Sequence, residues 1–343
     1  MTTIERREFI LSLTAGLVAS QLDRCSRGLA AGSKINTCLG PVSLDDLGVT
    51  LIHEHVMVDF IGAGQVRRDR YDADEVFRVV LPYLKRVYEL GCRTLVECTP
   101  AYLGRDPALL RRLSEASKLR LITNTGYYGA AGGKYVPEHA RSETALQLAQ
   151  RWFREHEDGI EGTGVKPGFI KIGVNKGPLS EMDRKLVRAA ALTHKQTGLT
   201  IASHTGDGVA AFEQLRILRE ERVAPSAFIW VHAQNEPQAD VQTQAASQGA
   251  WIEIDGISES NLSKQVERIG TLIGRGQIDH MLISLDAGWY RVGEAGGGKF
   301  RSFEFFFADL IPALRKSGVT EAQIQKLLVE NPKRALNPRL RLI

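Results

Sequence analysis

The chain has 343 residues, 43% of them hydrophobic, with no low-complexity run, which suits one large or two ordinary globular domains with a substantial core. Its 44 basic and 40 acidic residues are dispersed, so the formal charge of +4 leaves no concentrated basic stripe of the kind that binds nucleic acid. The cluster Arg67, Arg68 and Arg70 reads as a solvated loop.

The first 31 residues read differently from the rest. "ERREFILSLTAGLVAS" sets Arg6 and Arg7 ahead of Phe9, Ile10 and Leu11, followed by a mildly apolar stretch and the small residues of "GLAAG". This segment resembles a twin-arginine export signal, with Glu5 where Ser or Thr is usual, and implies a periplasmic or secreted protein. A cytoplasmic chain with an amphipathic start is the alternative. The stretch is too short and too polar for a stable membrane span, which needs about 20 predominantly apolar residues. Charged residues in "LDRC" argue against a lipid anchor on Cys25. Beyond the signal remain Cys38, Cys92 and Cys98, an odd number without C-x-x-C spacing, so neither a disulfide framework nor a cysteine metal site is expected.

Residues 32–48 lead into the first of eight short β-rich runs: "TLIHEH" (50–55), "TLVECT" (94–99), "RLITNTG" (120–126), "GFIKIG" (168–173), "LTIASHT" (199–205), "FIWVHA" (228–233), "WIEID" (251–255) and "HMLISLD" (280–286). Helical periodicity fills the gaps, as in "DEVFRVVLPYLKRVYEL" and "SEMDRKLVRAAALTHKQTG". Eight strands alternating with helices predict an α/β chain whose parallel sheet closes into a (β/α)₈ TIM barrel, one domain over 32–343. In the last helix, Phe303, Phe306, Leu310 and Leu314 recur at helical spacing and read as core.

In such a barrel the chemistry gathers at the C-terminal ends of the strands. Those ends carry His53 and His55, Tyr127 and Tyr128, Lys171, His204, His232 and Asp286. His53 and His55, one residue apart in a strand, share a face, with Glu54 on the other. Four imidazoles, an amine and an acid converging on one rim are costly to bury unless they are paired or ligated, which points to a metal site. His139, His156, His194 and His280 lie elsewhere and read as structural or solvated.

The pieces "HEH" (53–55), "GIEGTGVKPGFIKIG" (159–173), "SHT" (203–205), "VHA" (231–233), "ISLDAGW" (283–289) and "NPKRAL" (331–336) resemble, in order, the motifs of the phosphotriesterase family of the amidohydrolase superfamily. The resemblance implies a hydrolase with two divalent metal ions, zinc being the expected ion. It implies that His53, His55 and Asp286 hold the more buried ion and His204 and His232 the more exposed one. Lys171 would bridge them as a carbamate formed with CO₂. It implies further that a hydroxide between the ions attacks the ester, that Asp286 takes its proton, and that the protein is a homodimer. Tyr128 stands where the family's lactonases carry tyrosine, favouring a lactone or carboxylic ester over a phosphotriester. Gly256 after Asp255 departs from the arginine those lactonases often have, which argues against acyl-homoserine lactones. Trp289, in the glycine-rich loop after the eighth strand, is a candidate substrate contact.

That loop also contains "GEAGGGK" (293–299), the first seven positions of a phosphate-binding loop, but Phe300 replaces the Ser or Thr that would hold magnesium. Nucleotide binding is not expected. Two other readings compete: an exported metal-binding barrel without activity, and a mononuclear amidohydrolase or deaminase, which would not need Lys171.

Overall fold

A computed structural model describes residues 33–343; the export-signal reading of residues 1–31 lies outside the described residues. All eight predicted runs form strands. They begin with β3 (Thr50–Val58) and β4 (Thr94–Glu97), then β5 (Arg120–Ile122) continued by β6 (Asn124–Thr125), and β7 (Phe169–Gly173). After these come β8 (Ile201–His204), β9 (Phe228–Val231), β10 (Trp251–Ile254) and β11 (Met281–Ile283), continued by β12 (Gly288–Arg291). Pairing is parallel in the order β12-β3-β4-β5 and β6-β7-β8-β9-β10-β11, and both interruptions fall inside a single strand of the TIM barrel. Among the described residues, no helix is long and apolar enough to cross a membrane.

Residues drawn from strands all round the sheet can touch one another only across its inside. Ile52, Val96, Ile122, Phe169, Ala202, Ile229 and Leu282 do so, and together they fill the barrel. Outside, helices seal the other face: Val76, Val80 and Leu84 of the helix Ala73–Glu89 join Leu51 and Leu95 in the larger apolar cluster. Phe303, Phe306, Leu310 and Leu314 are fully buried, as their spacing predicts.

Three features differ from the sequence reading. The leader contains an antiparallel hairpin, β1 (Lys34–Thr37) with β2 (Gly40–Ser43), whose Ile35 joins the barrel interior; four-residue strands are too short for a periodic signal. The first barrel strand does not end at His55 but runs on to Val58, because the chain after Asp286 comes back as β12 and pairs with it. Gly288 is obligatory there, since a Cβ at that position would stand 1.8 Å from the His55 carbonyl oxygen. The register between β3 and β4 also slips by one residue between Leu51 and Glu54. Such a bulge resets the inward–outward alternation, so Ile52 faces the barrel core while His53 and His55 both reach Asp286.

The segment 293–299 forms a short turn around Ala295–Gly297, without the strand-to-helix passage of a phosphate loop, and Phe300 stacks on Tyr83 at 4.4 Å. His194 is structural, bonded through Nδ1 to the Leu199 carbonyl and through Nε2 to the Arg341 N–H.

Candidate metal centre

His53, His55, Tyr128, Lys171, His204, His232, Asp286 and Trp289, brought from six places in the sequence, all line one cavity of about 200 Å³ at the C-terminal mouth of the barrel. The imidazoles of His53, His55 and His232 are held through Nδ1, which leaves their Nε2 atoms for the centre. His55 Nδ1 lies 2.8 Å from the Thr99 hydroxyl. That hydroxyl gives its proton to the Met57 carbonyl, so it can only accept from His55 Nδ1–H. His232 donates to Asp255 Oδ1 at 2.5 Å, and His53 Nδ1 is 2.6 Å from Glu253 Oε1. His204 Nδ1 meets the Tyr128 hydroxyl at 3.0 Å, and its ring centroid is 4.5 Å from that of His232.

Burial, helped by the charge of Lys171, pushes the His53 pKa down to about 3, and burial also lowers those of His55 and His204, so these rings are neutral, the form that ligates. At His232 burial opposes the charge but Asp255 outweighs it. Asp255 is held well below the usual carboxylate range because His232 and His53 overcome its burial. Burial and the neighbouring Asp255 push Glu253 the other way.

Two observations bear on whether these side chains suit a metal. Asp286 Oδ1 is buried without a hydrogen-bond partner, yet His55 Nε2, unprotonated by the argument above, lies 3.1 Å from it. Two acceptors facing each other are repulsive unless a cation joins them. Lys171 is 2% exposed, its Nζ is 3.4 Å from His53 Nε2, and among the described residues no carboxylate lies within ion-pair distance of it. The ordinary reading of Lys171 as one half of an ion pair therefore has no support. His53, His55 and Asp286 alone already bring ligand atoms within 4.8 Å of one another. A second such group, His53, His232 and Asp255, uses the Nδ1 atoms, and its hydrogen bonds mark Asp255 as an orienting acid instead of a ligand.

Backbone strain gathers at the same place. His232, Asp286 and Trp289 all have positive φ, at 63°, 52° and 77°, a conformation costing about 1–3 kcal/mol each that persists only where the surroundings impose it. Glu54, which the alternation turned away from the metal side, is the clamp for Asp286. Its carboxylate accepts from the Ser284 hydroxyl at 2.8 Å and from the N–H groups of Leu285 and Ala287 at 3.0 and 2.7 Å, on both sides of Asp286. Glu54→Ala leaves those buried donors unpaired and should lower unfolding free energy by about 2 kcal/mol or more in a denaturant titration; a change of a few tenths would mean that water replaces the carboxylate.

The sequence alone assigns no role to Glu54, Thr99 or Glu253. For Glu253 a signal was present in "WIEID", an acid inside a fully buried strand with a second acid just past its end. Above the centre, Phe60, Leu103, Tyr135 and Trp289 form an apolar wall, with the Trp289 ring 4.7 Å from that of His55. Tyr128 packs over the end of β7, where a Cβ on Gly173 would come within 2.7 Å of its ring. Gly256, at φ 61°, follows Asp255 where Gln234 bonds back to both the Asp255 N–H and its carboxylate.

The model of the phosphotriesterase family matches residues 33–336. The chain is 29% identical over 295 residues to the phosphotriesterase homology protein of Escherichia coli, covering 85% of this chain and 98% of that protein. It is 30% identical over 300 residues to the aryldialkylphosphatase of Saccharolobus solfataricus, covering 84% and 95%. It is 26% identical over 350 residues to the human N-acetyltaurine hydrolase, covering 88% and 97%.

Proposed function

The chain belongs to the phosphotriesterase family of metal-dependent hydrolases, and from that premise we propose that it is a binuclear metal hydrolase of lactones or carboxylic esters, with phosphotriesters as further substrates. The observation that carries this reading is the meeting of His55 Nε2 with the orphaned Asp286 Oδ1 beside a buried, acid-free Lys171. His53, His55 and Asp286 would hold one ion, His204 and His232 the other, and Lys171, carboxylated on Nζ, would serve both. When bound, the ions supply Lewis acidity towards the C=O or P=O oxygen and make water acidic enough to react at neutral pH.

The protein groups then have defined tasks. Asp286, whose Oδ1 is left unpaired beside His55 Nε2, is placed to take the proton from the attacking water. Asp255 and Thr99 keep His232 and His55 turned with Nε2 inward. Phe60, Leu103, Tyr135 and Trp289 exclude bulk water, and Tyr128 places a hydroxyl at the rim beside His204. Lysine carboxylation, zinc and a homodimer remain part of the proposal, the last on family likeness alone.

A second reading, amide hydrolysis, is favoured by the match to N-acetyltaurine hydrolases across nearly their whole length. Purified protein should hydrolyse at least one of phenyl acetate, γ-butyrolactone, paraoxon and an N-acetyl amino sulfonate. Activity should vanish with a chelator and return with zinc or cobalt at two ions per chain. Activity indifferent to the chelator, or none in a fully loaded sample, would refute the reading, and full activity at one ion per chain would favour the mononuclear alternative.

A further inference from the structure

Ala131 and His204 line both the metal-side cavity and a neighbouring one of about 470 Å³, which is lined also by Lys176, Gly206 and Asn235. We propose that this outer cavity is an anion-accepting subsite centred on Lys176, so that favoured substrates carry an oxyanion group (carboxylate, sulfonate or phosphate) on the portion projecting beyond His204. The inference rests on the hydrolase reading above.

Lys176 follows Lys171 by five residues, on a segment whose backbone is held in place. Asn175 donates to the Gly129 carbonyl and to Asp183, and the Gly177 N–H donates to Asp207. The stem of Lys176 runs across Gly206, where a Cβ would stand 2.7 Å from its Cγ and 2.9 Å from its backbone nitrogen. A side chain at 206 would displace it. Among the described residues the Lys176 ammonium has no ion-pair or hydrogen-bond partner, and neither does the side-chain amide of Asn235 on the same rim. The acids that follow Gly206 and Asn235 in the chain are engaged elsewhere: Asp207 accepts from the Gly177 and Ala210 N–H groups, and Glu236 from those of Gly208 and Gln238.

A third cavity, of about 320 Å³, makes the contrast. Its Arg68 and Arg105 are already paired with Asp106, Glu155 and Glu161. Lys176 is an exposed cation without an acid partner among the described residues, on the same cavity wall as His204. A substrate anion held there places its ester or amide next to His204.

The test compares 4-acetoxybenzoate with its methyl ester, which lacks the charge on the leaving aryl group; their intrinsic difference in reactivity cancels when the ratio is compared between variants. In both, water adds its oxygen to the acetyl carbon and the aryl oxygen departs and is protonated. In metal-loaded protein, the acid-to-ester ratio of kcat/KM should fall about two- to fivefold in Lys176→Ala, through KM, as for one exposed charge pair. The ratio should persist in Lys176→Arg, fall further in Lys176→Glu and shrink at high salt. An unchanged ratio across the variants overturns the subsite while leaving the hydrolase reading intact. Should neither compound turn over, the hydrolase reading suffers first, and calorimetric titration with 4-hydroxybenzoate decides the subsite: weaker binding in Lys176→Ala supports it and equal binding overturns it.

Discussion

Replacing Lys171 with alanine should lower metal content from two ions per chain to one or fewer and cut kcat/KM by more than about a hundredfold, since even residues that only orient a ligand are worth 10–100-fold in affinity or activity. The variant should still fold. Lys171 has no carboxylate partner to leave unpaired, and the space it vacates, beside His53 and Cys98 on the inner face, costs stability through lost packing. Metal analysis and a melting curve on the same sample separate loss of the centre from loss of the fold. If Nζ is carboxylated, metal reloading of stripped wild-type protein should accelerate with added bicarbonate, and the alanine variant should lose that response. A fully loaded, fully active Lys171→Ala protein would leave the bridge without a role.

Asp286→Asn should keep the fold and most of the metal but reduce kcat by about 10²–10⁴-fold, the range for losing a positioned proton acceptor. The amide keeps the side-chain shape, and the backbone around it is independently tied. Glu54 holds the N–H groups on both sides, while Arg301 and the Trp289 indole donate to the Asp286 carbonyl at 2.8 Å. What it loses is basicity. The asparagine cannot take a proton, and its NH₂, turned towards His55 Nε2, would satisfy with a hydrogen bond what the carboxylate leaves repulsive. Tighter apo packing with slower turnover is the expected signature; wild-type kcat in a metallated sample would exclude Asp286 as the acceptor.

Much of this was legible in the one-dimensional chain because the barrel writes itself as repetition. Eight β-rich runs separated by periodic helices announce a parallel sheet, and the C-terminal end of each run is a position set by chain direction alone. The order of "HEH", "FIKIG", "SHT", "VHA" and "SLD" was therefore enough to place six chemical side chains on one rim. The boundaries were less clear. Strand β8 is shorter than its run, ending at His204, and β3 extends past His55 because its neighbour β12 arrives from about 235 residues away.

Local composition and alternation thus set the architecture, the rim and the kinds of group upon it, since these depend only on period and direction along the chain. Which nitrogen of each histidine faces inward, that Lys171 has no acid beside it, that Glu54 clamps Asp286 from the other side of the strand, and that Lys176 stands open at the mouth were decided in three dimensions. Each of those depends on a partner dozens to hundreds of residues distant. A hydrogen bond or an unmet charge is a property of a pair, and pairs exist only once the barrel has closed.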